Sequence, residues 1–137
     1  MTKLNFILNT LGLPWVNRAS SFEACDCYGL VKLFYKEVLN INLSEVKGYK
    51  SGECNVNSGF MSVISDWVEI KNPIDSCVFI SFRDGKADHV GIMIDKTNAL
   101  HSRGSLEEHG KVEIHNIKTL ESMYTNIKYF KHKNQNA

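Results

Sequence analysis

Residues 88–102 read DHVGIMIDKTNALHS, and their alternation decides how the chain folds. Val90, Ile92 and Ile94 fall on one face of a strand, and His89, Gly91 and Met93 fall on the other. Lys96 to Asn98 mark a tight turn, and a second strand over 99–102 carries His101. The two segments predict a hairpin whose neighbouring strands set two imidazoles side by side. Further out, period-two sequence rich in β-branched residues predicts strands at 77–82, 112–117 and 127–132. Asp84-Gly85, Gly104 and Gly110 supply the turns between them.

Upstream of Pro73 the period is helical. Leu4, Ile7, Leu8 and Leu11 share one face of a first helix, which Gly12 and Pro14 stop. Asp26 is placed to cap a second helix, with Leu30, Val31, Phe34 and Val38 as its apolar stripe. A third helix is predicted over 57–68, capped by Asn57, with Phe60, Val63, Ile64 and Trp67 on one face. Residues 15–25 and 41–56 read as loops. Helices first and strands later predict an α+β domain: a central antiparallel sheet of about five strands with the helices packed on one side. The whole of 1–137 reads as a single domain, and the terminal KHKNQNA reads as a frayed tail.

Composition narrows the function classes. The chain has 137 residues, 43% hydrophobic and 23% charged, with a formal net charge of +1. That suffices for a core without staples and argues against disorder. The charge balance carries no polyanion footprint, so nucleic acid is not an expected partner. Apolar runs fall short of the roughly 20 residues needed to cross a bilayer, so membrane insertion is not expected. The opening MTKLNFILNTLGLPW lacks a small-residue cleavage site and reads as mature sequence made in the cytoplasm, not as a signal peptide. Four cysteines make no disulfide scaffold, and reduced thiols are expected.

The sharpest chemistry is ACDCYGL at 24–30, which puts Cys27 in the first turn of a helix. Unpaired N–H groups and the helix dipole there favour an anion, so the thiol is expected to ionise below its reference pKa of about 8.5. Gly29 is read as clearing an approach for substrate. The bland alternative is a small buried hydrophobe at a helix start. His89 and His101 suit a base and its orienter, although a lone strand histidine is more often structural. Cys25, Cys54 and Cys77 with the histidines match no compact zinc spacing, so no metal or cofactor is expected. Cys77 reads as core and Cys54 as an exposed loop thiol. Asp88 reads as a solvated turn carboxylate rather than a tuning group. His109, His115 and His132 read as surface, Arg18 and Arg103 as solvated. Lys128, Lys131 and Lys133 among Tyr129 and Phe130 suggest an edge strand.

Taken in order, these motifs resemble the NlpC-type cell-wall peptidases, which are papain-like cysteine endopeptidases. Asp26-Cys27-Tyr28-Gly29 matches the cysteine motif, and His89-Val90-Gly91 matches the histidine strand. His101 follows twelve residues after His89, and Trp15 precedes Cys27 by twelve, where the family usually has tyrosine. IDSCVFISF at 74–82 is similar to the strand leading into the catalytic hairpin. LPWV at 13–16 and CDCYGLVKLFYKEVLNI at 25–41 look most like the branch found with phage tail-assembly genes. The cysteine precedes the histidines, whereas related lipid acyltransferases have the reverse order.

The resemblance implies a papain-like NlpC fold and cleavage of a γ-D-glutamyl–diamino acid bond in peptidoglycan stem peptides. It implies Cys27 as nucleophile, His89 as base and later acid, and His101 as orienter. Trp15, Asp26 and Tyr28 would line the oxyanion and substrate side. Phage tail-tip proteins are the implied partners, with the protein carried in or acting with the virion. Two departures stand out. Trp15 offers an indole N–H where a tyrosine hydroxyl is usual. Tyr28 is bulkier than the serine often found after the cysteine, and Arg18-Ala19-Ser20 replaces a glycine pair. They motivate a rival reading, a catalytically silent structural tail component of the same fold. Acyl transfer by the same thiol is a third.

Overall fold

The computed structural model describes residues 1–44 and 56–135. The loop expected at 41–56 and Cys54 within it lie largely or wholly outside the described residues. Helix α1 (Lys3–Thr10) is followed by a loop and then by α2 (Cys27–Glu37). Helix α3 (Val56–Val63) runs through a 3₁₀ turn, Ile64–Asp66, into strand β1 (Trp67–Ile70). The remaining elements are β2 (Val78–Arg83), β3 (Lys86–Met93), β4 (Asn98–Ser102), β5 (Val112–Asn116), α4 (Ile117–Met123) and β6 (Lys128–His132).

The strands form one antiparallel sheet of six, in the order β1-β6-β2-β3-β4-β5. All five expected strands are present, and β1 is the sixth. The third helix therefore ends early. Trp67 leaves the helix and pairs with His132, which buries its ring edge-on against that imidazole, with centroids 5.2 Å apart. His132 is accordingly buried, not a surface residue. Strand β6 lies between β1 and β2, not at an edge. The described residues after it are tied down through Gln135, which accepts from Tyr35 Oη and donates to the Ser76 carbonyl, each at 2.9 Å.

Two further expectations are corrected by packing. The Leu4–Leu8 face of α1 is turned to solvent, with Leu4 64% and Leu8 69% exposed. Phe6 and Thr10 carry the burial instead, because Phe6 fits edge-on between Phe22 and Phe34. The helices also do not all lie on one side. From α2, Leu30, Val31 and Phe34 join Val78, Ile80, Val90, Ile92 and Leu100 in the main core. On the opposite face Leu120 of α4 covers Phe79, Met93 and Ala99. The chain between β5 and β6 reads as neither helix nor strand by period, yet Asn116 caps α4 by accepting from Thr119 N at 2.9 Å. No helix among the described residues is long and apolar enough to cross a membrane.

Candidate active site

Cys27 is the first residue of α2, and Asp26 is its N-cap. One Asp26 carboxylate oxygen accepts from Gly29 N and the other from Arg18 N, both at 2.7 Å. The side chain is buried, so it braces the turn that presents Cys27. Loss of that cap in Asp26→Ala is expected to cost about 1–2 kcal/mol in urea denaturation. A smaller loss would mean that the loop over 16–26 holds itself.

Gly29 has a different task from the one its neighbourhood suggests. A Cβ there would sit 1.9 Å from the Ala19 carbonyl oxygen. The space is filled by the preceding loop, whose Ser20 hydroxyl also donates to the Gly29 carbonyl at 2.7 Å. The glycine lets that loop close over the helix start; it does not open a path for substrate. The same loop is tied to the sheet, because Ser102 Oγ on β4 donates to the Cys25 carbonyl at 2.7 Å.

The histidines project from the sheet face that α4 covers. His89 Nε2 and His101 Nδ1 are 2.9 Å apart. Gly91 makes room for this pair, since a Cβ there would meet Phe79 at 2.3 Å and His101 Cβ at 2.7 Å. Tyr124, just after α4, stacks on His89 with centroids 4.5 Å apart and planes 11° from parallel. Burial raises the Tyr124 phenol, the Arg103 hydrogen bond and charge lower it, and the nearby Cys27 charge pushes it up again. Tyr124 thus stacks on His89 and also feels the charge of Cys27.

Burial, followed by the Arg103 charge, pushes His89 down to about 3. Burial, followed by the charges of His89, His115 and Arg103, pushes His101 down to about 2. Both rings are neutral at physiological pH, which suits a base that takes a proton during reaction. The two depressed values also make stability pH-dependent. Below about 6.5 the unfolded chain binds protons that the folded chain refuses, so stability falls from there toward pH 3. The expected loss at pH 5 is about 2 kcal/mol per histidine relative to pH 7.5. Urea denaturation at the two pH values measures it, and equal stabilities would show that the rings accept protons in the fold.

Trp15 is buried; its ring packs on Gly104 and its backbone N donates to the Gly110 carbonyl at 2.9 Å. It therefore belongs to the wall made by the β4–β5 loop. Tyr28 is half-buried and donates its hydroxyl to the Ser44 carbonyl at 3.2 Å. Its ring lines an apolar cavity with Val31, Phe60 and Val90. Beside Tyr124 runs an open groove lined by charges of both signs, among them Arg83, Arg103, Lys111, Asp88 and Glu113. Among the described residues no group of histidine, cysteine or acidic side chains is arranged to hold a metal.

The model of the NlpC/P60 family matches residues 12–133. The chain belongs to the NlpC/P60 family. The match takes in Trp15, Cys27, His89 and His101 as well as the α4 segment. Among solved NlpC/P60 structures, the NlpC/p60 domain of peptidoglycan hydrolase SagA is similar with a TM-score of 0.62 at 12% identity, covering 95% of both chains. An NlpC/P60 family protein from Bacillus cereus has a TM-score of 0.65 at 21% identity, over 95% of this chain and 38% of that one. A lipoprotein-like member from Staphylococcus aureus has a TM-score of 0.61 at 15% identity, over 96% of this chain and 41% of that one. This NlpC/P60 chain thus spans less than half the length of those two proteins. At such identities the likeness is one of fold. No curated protein matches the sequence.

Sequence reading missed two members of this NlpC/P60 site. His115 reads as surface, yet its Nδ1 is 2.8 Å from His101 Nε2. Strand alternation held the signal, because the β4–β5 register pairs His115 with Ala99, diagonal to His101. Tyr124 had no signal, since only the docking of α4 lays it on His89. Asp88 accepts from Ser81 Oγ and faces Arg83 at 3.7 Å, so it is held in the turn and is not simply solvated. Arg103 is paired too, with Glu113 at 3.1 Å.

Proposed function

We propose that the chain is a cysteine endopeptidase that hydrolyses peptidoglycan stem peptides, at a bond between D-glutamate and a diamino acid. The observation that carries this reading is the 2.9 Å contact between His89 Nε2 and His101 Nδ1. It occupies one ring nitrogen of His89 and leaves Nδ1 to take a proton. Cys27 sits at a capped helix start, where N–H groups unused by the helix favour negative charge. Cys27 Sγ attacks the amide carbonyl as His89 Nδ1 takes the thiol proton. The helix-start N–H groups and the Trp15 wall receive the oxyanion. His89 then protonates the leaving amine, and water hydrolyses the thioester.

The charges that line the groove support this substrate class. A stem peptide offers carboxylates to Arg83, Arg103 and Lys111 and an amine to Asp88. SagA, whose domain shares the fold, is a peptidoglycan hydrolase. Association with a phage tail rests on the likeness of residues 13–16 and 25–41 to tail-assembly members of the family. The Trp15 and Tyr28 departures favour the rival, a silent structural component. Mass spectrometry of muropeptides of defined diamino acid, incubated with the protein, decides between them. Cleavage at one amide, blocked by prior alkylation of Cys27, is the expected result. Intact muropeptides of every wall type would overturn the enzyme reading.

Alkylation itself gives a substrate-free check. Burial pushes the thiols of Cys25 and Cys77 up to about 11. Iodoacetamide at pH 7 is therefore expected to label Cys27 at least about tenfold faster than either. Equal labelling, read by peptide mapping, would remove the poised thiol.

A further inference from the structure

The His89–His101 contact is not the end of the chain of rings. His101 Nε2 is 2.8 Å from His115 Nδ1, and His115 Nε2 faces Glu113 Oε2 at 3.8 Å. Glu113 is anchored in turn by Arg103 at 3.1 Å. Every link runs from Nε2 of one ring to Nδ1 of the next, so the relay has a direction.

We propose that His115 and Glu113 are positioning residues that extend the Cys27, His89, His101 constellation and hold His101 in its Nε2–H tautomer. This rests on the peptidase reading of Cys27 and His89. The argument is one of proton counting. Two ring nitrogens in contact share one proton. When His89 takes the thiol proton on Nδ1, its Nε2–H must donate, so His101 Nδ1 must accept. A neutral His101 then carries its proton on Nε2, and that buried N–H needs an acceptor. His115 Nδ1 is that acceptor. His115 in its turn carries its proton on Nε2, toward the Glu113 carboxylate. With no acceptor at 115, His101 is free to move its proton to Nδ1, where it opposes the Nε2–H of His89.

Burial also makes the charged form of His89 unfavourable, so the reaction needs a polarisable partner behind it. The relay supplies one that ends on a carboxylate near the surface. Several groups face it: Arg103 just after β4, Glu113 from β5, His89 from β3, and Tyr124 beyond α4. Arg103 opposes a positive His101, and its pairing with Glu113 offsets that charge. Strand β5 pairs His101 with Glu113 in register, so both side chains leave the same face of the sheet.

Two readouts test the proposal in the full chain. Long-range ¹H–¹⁵N spectra of the imidazoles report tautomers without substrate. His101 is expected as Nε2–H in the wild type and in His115→Asn, whose Oδ1 replaces Nδ1 as acceptor. It is expected to become Nδ1–H or mixed in His115→Ala. The second readout is the pH profile of Cys27 alkylation. His115→Ala is expected to react about tenfold more slowly at pH 7, with its acid limb moved by about one pH unit. His115→Asn is expected to recover most of that loss, which a merely structural role would not require. A wild-type His101 carrying Nδ1–H, or a His115→Ala profile that overlays the wild type, would overturn the relay. If wild-type Cys27 reacts no faster than in His89→Ala, the peptidase reading fails instead, and the His101 tautomer alone decides the relay.

Discussion

Cys27→Ala is expected to lower muropeptide cleavage at least about a thousandfold while leaving the fold intact. In the proposed mechanism the thiol forms the bond to the carbonyl, so its removal leaves no nucleophile for that step. His89→Ala is expected to lose a similar factor, because no group then takes the thiol proton or returns it to the leaving amine. The double variant is expected to be no slower than either single one. Nucleophile and base act as a unit, so removing the second after the first removes nothing more. Initial rates on one defined muropeptide, with thermal melts as fold controls, check all three. Losses that multiply would mean that the two residues act independently. A Cys27→Ala variant that still cleaves would end the mechanism.

Gly29→Ala is expected to destabilise the protein by about 3 kcal/mol or more. Helix propensity alone predicts the opposite, a gain of about 1 kcal/mol for alanine over glycine. The sign is decided by the 1.9 Å approach of an added Cβ to the Ala19 carbonyl oxygen. That oxygen also accepts from Asp26 N at 3.0 Å, so the loop cannot retreat without giving up the helix cap. Both cap bonds to Asp26 would loosen with it. Urea denaturation against Lys36→Ala, an exposed control on the same helix, measures the effect. A stability equal to or above the wild type would show that the loop yields at little cost.

Much of the site was legible before any coordinates. The Asp26 cap and the Cys27 helix start follow from local rules, because a cap needs only a short polar side chain three residues before the N–H it accepts from. The hairpin that pairs His89 with His101 was legible because alternation fixes which side chains share a face. The second helix and five strands were readable for the same reason. Other parts were not. The α1 stripe of Leu4, Ile7, Leu8 and Leu11 has the right period, yet only Ile7 of it packs on the core, and Phe6 and Thr10 take the deepest burial. A period says that a face exists, but the shape of the neighbouring surface chooses which face is used. The end of α3 was misplaced because Trp67 fits a helical face and a strand equally well, and pairing with His132 settles it.

By itself the sequence determined the α+β class, the antiparallel hairpin, the position of Cys27 at a helix start, and the order of that cysteine and the two histidines. Those features depend on periods and caps, which act between residues near one another in the chain. Only the tertiary structure decided that Gly29 serves the Ala19 loop, that Tyr124 stacks on His89, and that His115 and Glu113 stand behind His101. Each of these joins separate elements, and its contact is set by strand register and helix docking rather than by any local preference of the residues involved.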